Sequence, residues 1–275
     1  MKTKDSLLSI TAVFIIISVI LCGCKNTTKT GQDVSTETDS LKQKEELVEE
    51  VIKYPLPTSY EVMNMINKAK VGYTFGITNK IENVDKYLTE KTKALNLGIY
   101  GADLSYASTY FMEQETMWYL EASKKIIDDL EITSAFNKTF AQRIENNIQN
   151  KDSLIEIISD SFYDTYIFLN KNNKDDLSLL VISGSWIEGL YLTTTICSLS
   201  ENNEDFIDII NNQKNSLVTL IGLLESNNDN QDITDVLTDL YAIKEIYDTS
   251  DGGITENNLE DLYTMINEIR EKITA

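Results

Sequence analysis

Beyond residue 57 the chain is a succession of apolar-periodic blocks separated by short polar breaks. Apolar residues recur at three- and four-residue intervals, the period of a helix face, and the alternation of a half-buried strand is scarce. The pattern predicts helices over 58–77, 83–108, 112–131, 137–149, 152–171, 175–199, 204–226, 232–248 and 256–273. The breaks NKNNKDD, SENNED, SNNDNQD and TSDGG are rich in Asn, Asp, Ser and Gly, which favour turns and caps. In the last of them Gly252 or Gly253 supplies a left-handed C-cap. Thr58 with Glu61, and Ser153 with Glu156, have the spacing of capping boxes, in which two free backbone groups are satisfied reciprocally. Both prolines, Pro55 and Pro57, precede the first block, so no proline interrupts a later helix. The expected fold is all-α: a multi-helix bundle or short α-superhelix of about eight or nine helices, antiparallel where loops are short.

One block stands apart. Residues 177–199, LSLLVISGSWIEGLYLTTTICSL, are nearly long enough to cross a bilayer but carry Glu188 near the middle. An acid at the bilayer centre costs about 2.5–3.5 kcal/mol, and Ser, Thr and Gly return little of it. The block therefore predicts a buried core helix, with Ser183, Gly184, Ser185 and Gly189 letting neighbouring helices approach closely. Glu188 then needs partners, because an isolated buried charge costs several kcal/mol.

Tyr191 lies three residues after Glu188 and shares its helix face, as Tyr106 does with Asp103. Placing YGADLSYAST (100–109) over SWIEGLYLTT (185–194) aligns the two pairs at an offset of 85 residues, together with Ser108-Thr109 over Thr193-Thr194. This is the pattern of a two-fold internal repeat of helical pairs. The acids fit a network of Tyr hydroxyls and backbone groups that fixes helix register. They also fit a ligand-binding pocket lined by Asp103, Tyr106, Trp186, Glu188 and Tyr191, or the paired carboxylates of a glycan-acting enzyme. The aromatic run 105–120, with Tyr106, Tyr110, Phe111, Trp118 and Tyr119, reads as a core stripe, or as a sugar or peptide contact where it is exposed.

Composition narrows the chemistry. The 275 residues allow one or two domains, and 42% hydrophobic with 25% charged residues is a globular balance. A net charge of −20 repels phosphate backbones and anionic headgroups, which argues against nucleic acid as a partner. The chain contains no His. That removes the usual general base, the usual zinc ligand, every Ser-His or Cys-His pair and the Glu-x-x-His of helical di-iron sites. DGGIT (251–255) has the centre of a calcium loop, but Tyr247 and Asn258 stand where Asp and a bidentate Glu are required. The sequence thus implies no metal, no cofactor and no recognisable catalytic residue, and reads as a non-enzymatic protein.

The N-terminus supplies an address. In MKTKDSLLSITAVFIIISVILCGCKN, Lys2 and Lys4 precede an apolar run from Leu7 to Ile20, too short for a comfortable membrane span. Leu21-Cys22-Gly23-Cys24 follows directly and resembles the lipobox of bacterial lipoprotein precursors. The resemblance, confined to about the first 25 residues, implies cleavage before Cys24, with a thioether-linked diacylglycerol and an acylated, palmitate-type amine on that residue. At about 0.8 kcal/mol per buried methylene, such a lipid holds a protein durably. It divides the chain into a signal peptide (1–23), a polar tether (24–54) with a short helix over 41–53, and one α-helical domain (55–275). In the sorting rule of some such lipoproteins Asp after the Cys means inner-membrane retention, so Lys25 favours the outer membrane. Cys22 leaves with the signal and Cys24 is acylated, so Cys197 has no partner and is expected to act as a small buried hydrophobe. The whole resembles the all-helical bacterial lipoproteins. It implies a membrane-held envelope module that binds a protein or small ligand.

Overall fold

Residues 71–275, except 134–139, 201–202 and 251, are described by a computed structural model of the chain. The expected signal peptide, tether and helix over 41–53, the expected Thr58–Glu61 capping box and the first part of the expected 58–77 helix lie outside the described residues.

Among the described residues there are eight α-helices and no strand: α1 (Glu90–Thr109), α2 (Glu113–Asp129), α3 (Phe140–Asn147), α4 (Lys151–Lys171), α5 (Asp175–Leu199), α6 (Glu204–Glu225), α7 (Gln231–Thr249) and α8 (Leu259–Thr274). The all-α, multi-helix expectation holds, and α5 has the predicted bounds. Its burial explains the legibility: every residue from Leu177 to Cys197 is buried, so apolar and small residues run continuously. The helix is long and apolar enough to cross a membrane, yet it is wholly covered by its neighbours.

Three local expectations are corrected. Residues 71–80, partly inside the predicted 58–77 helix, are turns and extended chain. Gly76 takes a left-handed φ of +83°, which a helix does not permit. The backbone N–H groups of Thr74 and Asn79 are bonded instead by the Tyr106 hydroxyl and the Asp103 carboxylate. The predicted 83–108 helix is broken into a 3-10 turn (Ile81–Lys86) and α1. Thr89 caps α1 through a box with Thr92, a pairing hidden by the absence of Glu or Gln at that position. In α4 the cap is Asn150, whose side chain accepts from the Ser153 N–H at 3.2 Å, so Ser153 lies inside the first turn instead of capping it.

Helix α5 is the axis of the core. It packs most extensively on α1, and α8, α6 and α4 cover its other sides. A Cβ on Gly98 would lie 2.0 Å from the Val181 carbonyl oxygen, and one on Gly184 would lie 1.9 Å from that of Leu95. The two backbones therefore touch directly, and only glycine fits at either position. The contact is reciprocal, Gly98 on Val181 and Gly184 on Leu95; the two glycines are 86 residues apart, as are Leu95 and Val181, against the 85 of the repeat proposed from the sequence. Gly98 faces Val181 and Ser185, and Asp103 farther along faces Glu188, so α1 and α5 run in the same direction.

Candidate functional site

The close approach of α1 and α5 sets two acids side by side in the core. Asp103 and Glu188 are both fully buried. The counter-charge comes from α8, where Arg270 grips Glu188 with both arms of its fork: Nε donates to Oε2 at 2.5 Å and Nη2 to Oε1 at 2.9 Å. Nη2 also donates to the Ile77 carbonyl at 3.2 Å, and the guanidinium carbon lies 4.2 Å from the centre of the Tyr191 ring. Tyr191 is in turn stacked on Tyr263 at 6.3 Å. Burial alone would lower the Arg270 pKa, but the charge and hydrogen bonds of Glu188 more than offset it and hold the guanidinium charged.

Two acids and one arginine leave one negative charge uncompensated unless a proton is retained. Asp103 Oδ2 accepts from the Asn79 N–H at 3.0 Å, while its Oδ1 meets no donor. Burial first, and the neighbouring Glu188 charge second, push the Asp103 carboxyl well above its ordinary value. A protonated Asp103 satisfies Oδ1 by donating to Glu188 and makes the trio neutral, the arrangement a low-dielectric interior favours.

An amide network fixes this trio from the outside. Asn79 Nδ2 donates to the Tyr87 hydroxyl at 2.9 Å and to Asn96 Oδ1 at 3.1 Å. Asn96 and Asn83 then donate to the carbonyls of Ile273 and Thr274, tying the last turn of α8 to α1 and the 3-10 turn. Tyr100 closes the segment by donating to the Lys80 carbonyl at 2.8 Å. The Tyr119 hydroxyl, pushed up to about 12 by burial and the nearby Asp103, donates to Thr78 Oγ1 at 2.6 Å.

Of the residues singled out from the sequence, Asp103 and Glu188 are adjacent, and Tyr191 packs on their arginine. Tyr106 is buried against Tyr73, with rings stacked at 5.0 Å, and its hydroxyl accepts from Thr74 N–H. Trp186 is fully buried, but two residues before Glu188 it projects to a different side of α5, and its Nε1 has no hydrogen-bond partner. Sequence reasoning missed Arg270. A signal for it exists: Arg143 and Arg270 are the sole arginines, and Arg270 falls on the apolar face marked by Leu259, Leu262, Ile266 and Ile273.

A cavity of about 330 Å³, counting its open mouth, lies among α1, α2, α3, α4 and α5. Its walls are Leu97, Gly101, Leu104, Phe140 and Val181, with Ser123, Ser161 and Thr165. None of the five predicted pocket residues lines it. Ser161 and Thr165 donate back into their own helix, whereas the buried Ser123 hydroxyl has no partner. Its enclosed part has room for about one water molecule. Among the described residues no group of three or more His, Cys, Asp or Glu could hold a metal ion.

The aromatic run 105–120 divides in two. Tyr106 and Tyr119 belong to the core, while Phe111 and Trp118 are exposed. No protein-family model, no curated protein and no solved structure matches the chain.

Proposed function

We propose that this protein is an exported lipoprotein, held in the cell envelope by lipid on Cys24, whose helical body serves as a non-enzymatic binding or interaction module. The observation that carries the anchor is Leu21-Cys22-Gly23-Cys24 placed directly after the apolar run. The non-enzymatic reading is supported by the fate of the acids. Glu188 is engaged on both oxygens by Arg270, and Asp103 is committed to Asn79 and to its neighbouring acid. Neither carboxylate reaches solvent, so neither is placed to attack a glycosidic bond or activate a water. The trio instead fixes α1, α5 and α8 in one register.

Mass spectrometry of the mature N-terminal peptide tests the anchor. The expected product begins at Cys24 and carries a diacylglycerol thioether and an acylated amine. A Cys24 without lipid overturns the proposal. A Cys24→Ser variant is expected to leave the membrane fraction.

A further inference from the structure

Among the described residues three of the four exposed aromatics gather at one end of the body, and the fourth, Tyr241, lies on α7 with its hydroxyl on Glu225. Phe75 is 71% exposed, Phe111 50% and Trp118 42%, and no other Phe or Trp is exposed among the described residues. Local contacts place them together. Phe75 packs edge-on against Tyr73 at 4.9 Å, and Tyr73 meets Tyr110 at 5.5 Å, next to Phe111. Tyr73 also feels the Glu115 charge, and the Tyr119 hydroxyl bonds Thr78. Residues 74–77 therefore run beside residues 115–119 of α2, which brings Phe75 and Trp118 to one edge.

Phe111 occupies the left-handed position after α1, with φ of +57°, where the Met112 N–H closes the helix end on the Ala107 carbonyl, as Glu131 and Asn173 do after α2 and α4. This cap turns the Phe111 ring outward, where half of it faces solvent.

This is also the end at which the N-terminal part of the chain arrives. Val71, the first described residue, accepts a hydrogen bond from the Tyr110 hydroxyl at 3.4 Å. The described chain begins at this face, and Cys24 lies 47 residues before Val71 in the sequence. A covalent anchor raises the effective concentration of lipid near the chain's point of entry, and the face nearest that point gains most. Trp118, with an indole N–H on an apolar ring, suits the headgroup level of a bilayer, and the apolar Phe75 and Phe111 rings gain by leaving water beside it. The flanking Glu113 and Glu115 and the net charge of −20 select against an anionic surface.

We infer that the Phe75–Phe111–Trp118 face rests on the interface of a zwitterionic bilayer, so that the anchored body lies against the membrane instead of standing off it. The inference rests on the lipid-anchor reading above, and the two are separable by experiment. The chain has two tryptophans, and Trp186 is fully buried, so a contact quencher in the lipid reads Trp118 alone. The lipidated protein is reconstituted in phosphatidylcholine vesicles, with or without bromine on the acyl chains, and floated on a density gradient before fluorescence is read. Flotation with at least a twofold loss of the Trp118 emission in brominated vesicles is expected. Trp118→Phe is expected to abolish the quenching and leave the Trp186 emission. Phe75→Ser, with unchanged far-ultraviolet dichroism, is expected to reduce it severalfold. Flotation with quenching no greater than that of Trp118→Phe overturns the inference and leaves the anchor standing, and assigns the face to another occupant. Failure to float overturns both.

Discussion

Removing the Arg270 guanidinium is the sharpest test of how this core is held together. Arg270→Met keeps most of the side-chain volume but deletes two hydrogen bonds to Glu188, one to the Ile77 carbonyl and the contact over Tyr191. Glu188 is then left charged with no solvent exposure, beside a second acid. Breaking a buried pair on one side costs about 3–5 kcal/mol, because the remaining charge keeps its desolvation penalty and loses its compensation. For a domain of this size each kcal/mol lowers Tm by about 2–4 °C, so the expected drop is roughly 6–20 °C. Removing both charges together, as Arg270→Met with Glu188→Gln, leaves no buried charge and is expected to lie within about 2 kcal/mol of the parent. Urea unfolding of the parent, the two single variants and the double variant closes the cycle. A loss below about 1 kcal/mol for Arg270→Met, the range of an exposed pair, would refute the claim that the trio is desolvated and structural.

Asp103→Asn mimics the protonated acid, keeping an acceptor for the Asn79 N–H and a donor for Glu188, and is expected to cost less than about 1 kcal/mol. The raised Asp103 pKa means that the folded state binds the proton more tightly than the unfolded state, so parent stability falls as pH rises above the ordinary carboxylate range toward the folded value. Asp103→Asn should remove up to about 1.4 kcal/mol per pH unit from that decline, read by urea unfolding of both proteins as pH is raised from the ordinary carboxylate range. Gly98→Ala and Gly184→Ala drive a Cβ into a backbone carbonyl and should each cost about 1–3 kcal/mol or more by thermal melting. Gly222→Ala, whose Cβ meets nothing within 4 Å inside α6, should gain about 0.5–1 kcal/mol. The Cys197 thiol, fully buried and pushed up to about 11, should resist a disulfide reagent near neutral pH until the protein unfolds, and labelling in the folded state at the unfolded rate would contradict its burial.

Residues 177–199 show what local sequence can reveal. A continuous apolar run with small residues and one acid is enough to place α5 at the centre and to require a partner for Glu188. The acid at 103 was also visible, through its offset from Glu188. The partner was not, because Arg270 is 82 residues away on another helix and no local period encodes that distance. The sequence pointed to a pocket containing Trp186, whereas helix geometry turns that ring away from the acids.

The same division runs through the rest of the chain. Helical period, cap chemistry and the position of turn-forming residues are interactions within a few residues, so the sequence alone determined the all-α class and most helix spans. It also determined the absence of His chemistry, the acidic surface and the lipobox-like stretch. The break at residues 87–89 and the extended segment 71–80 depend on tertiary partners: Tyr106 and Asp103 satisfy backbone groups that a helix would otherwise have used. Whether an acid is a site or a staple is decided by which groups surround it and whether water reaches it. Only the packing of α1, α5 and α8 supplied that answer, because a carboxylate's charge state follows from its surroundings and not from its neighbours in sequence.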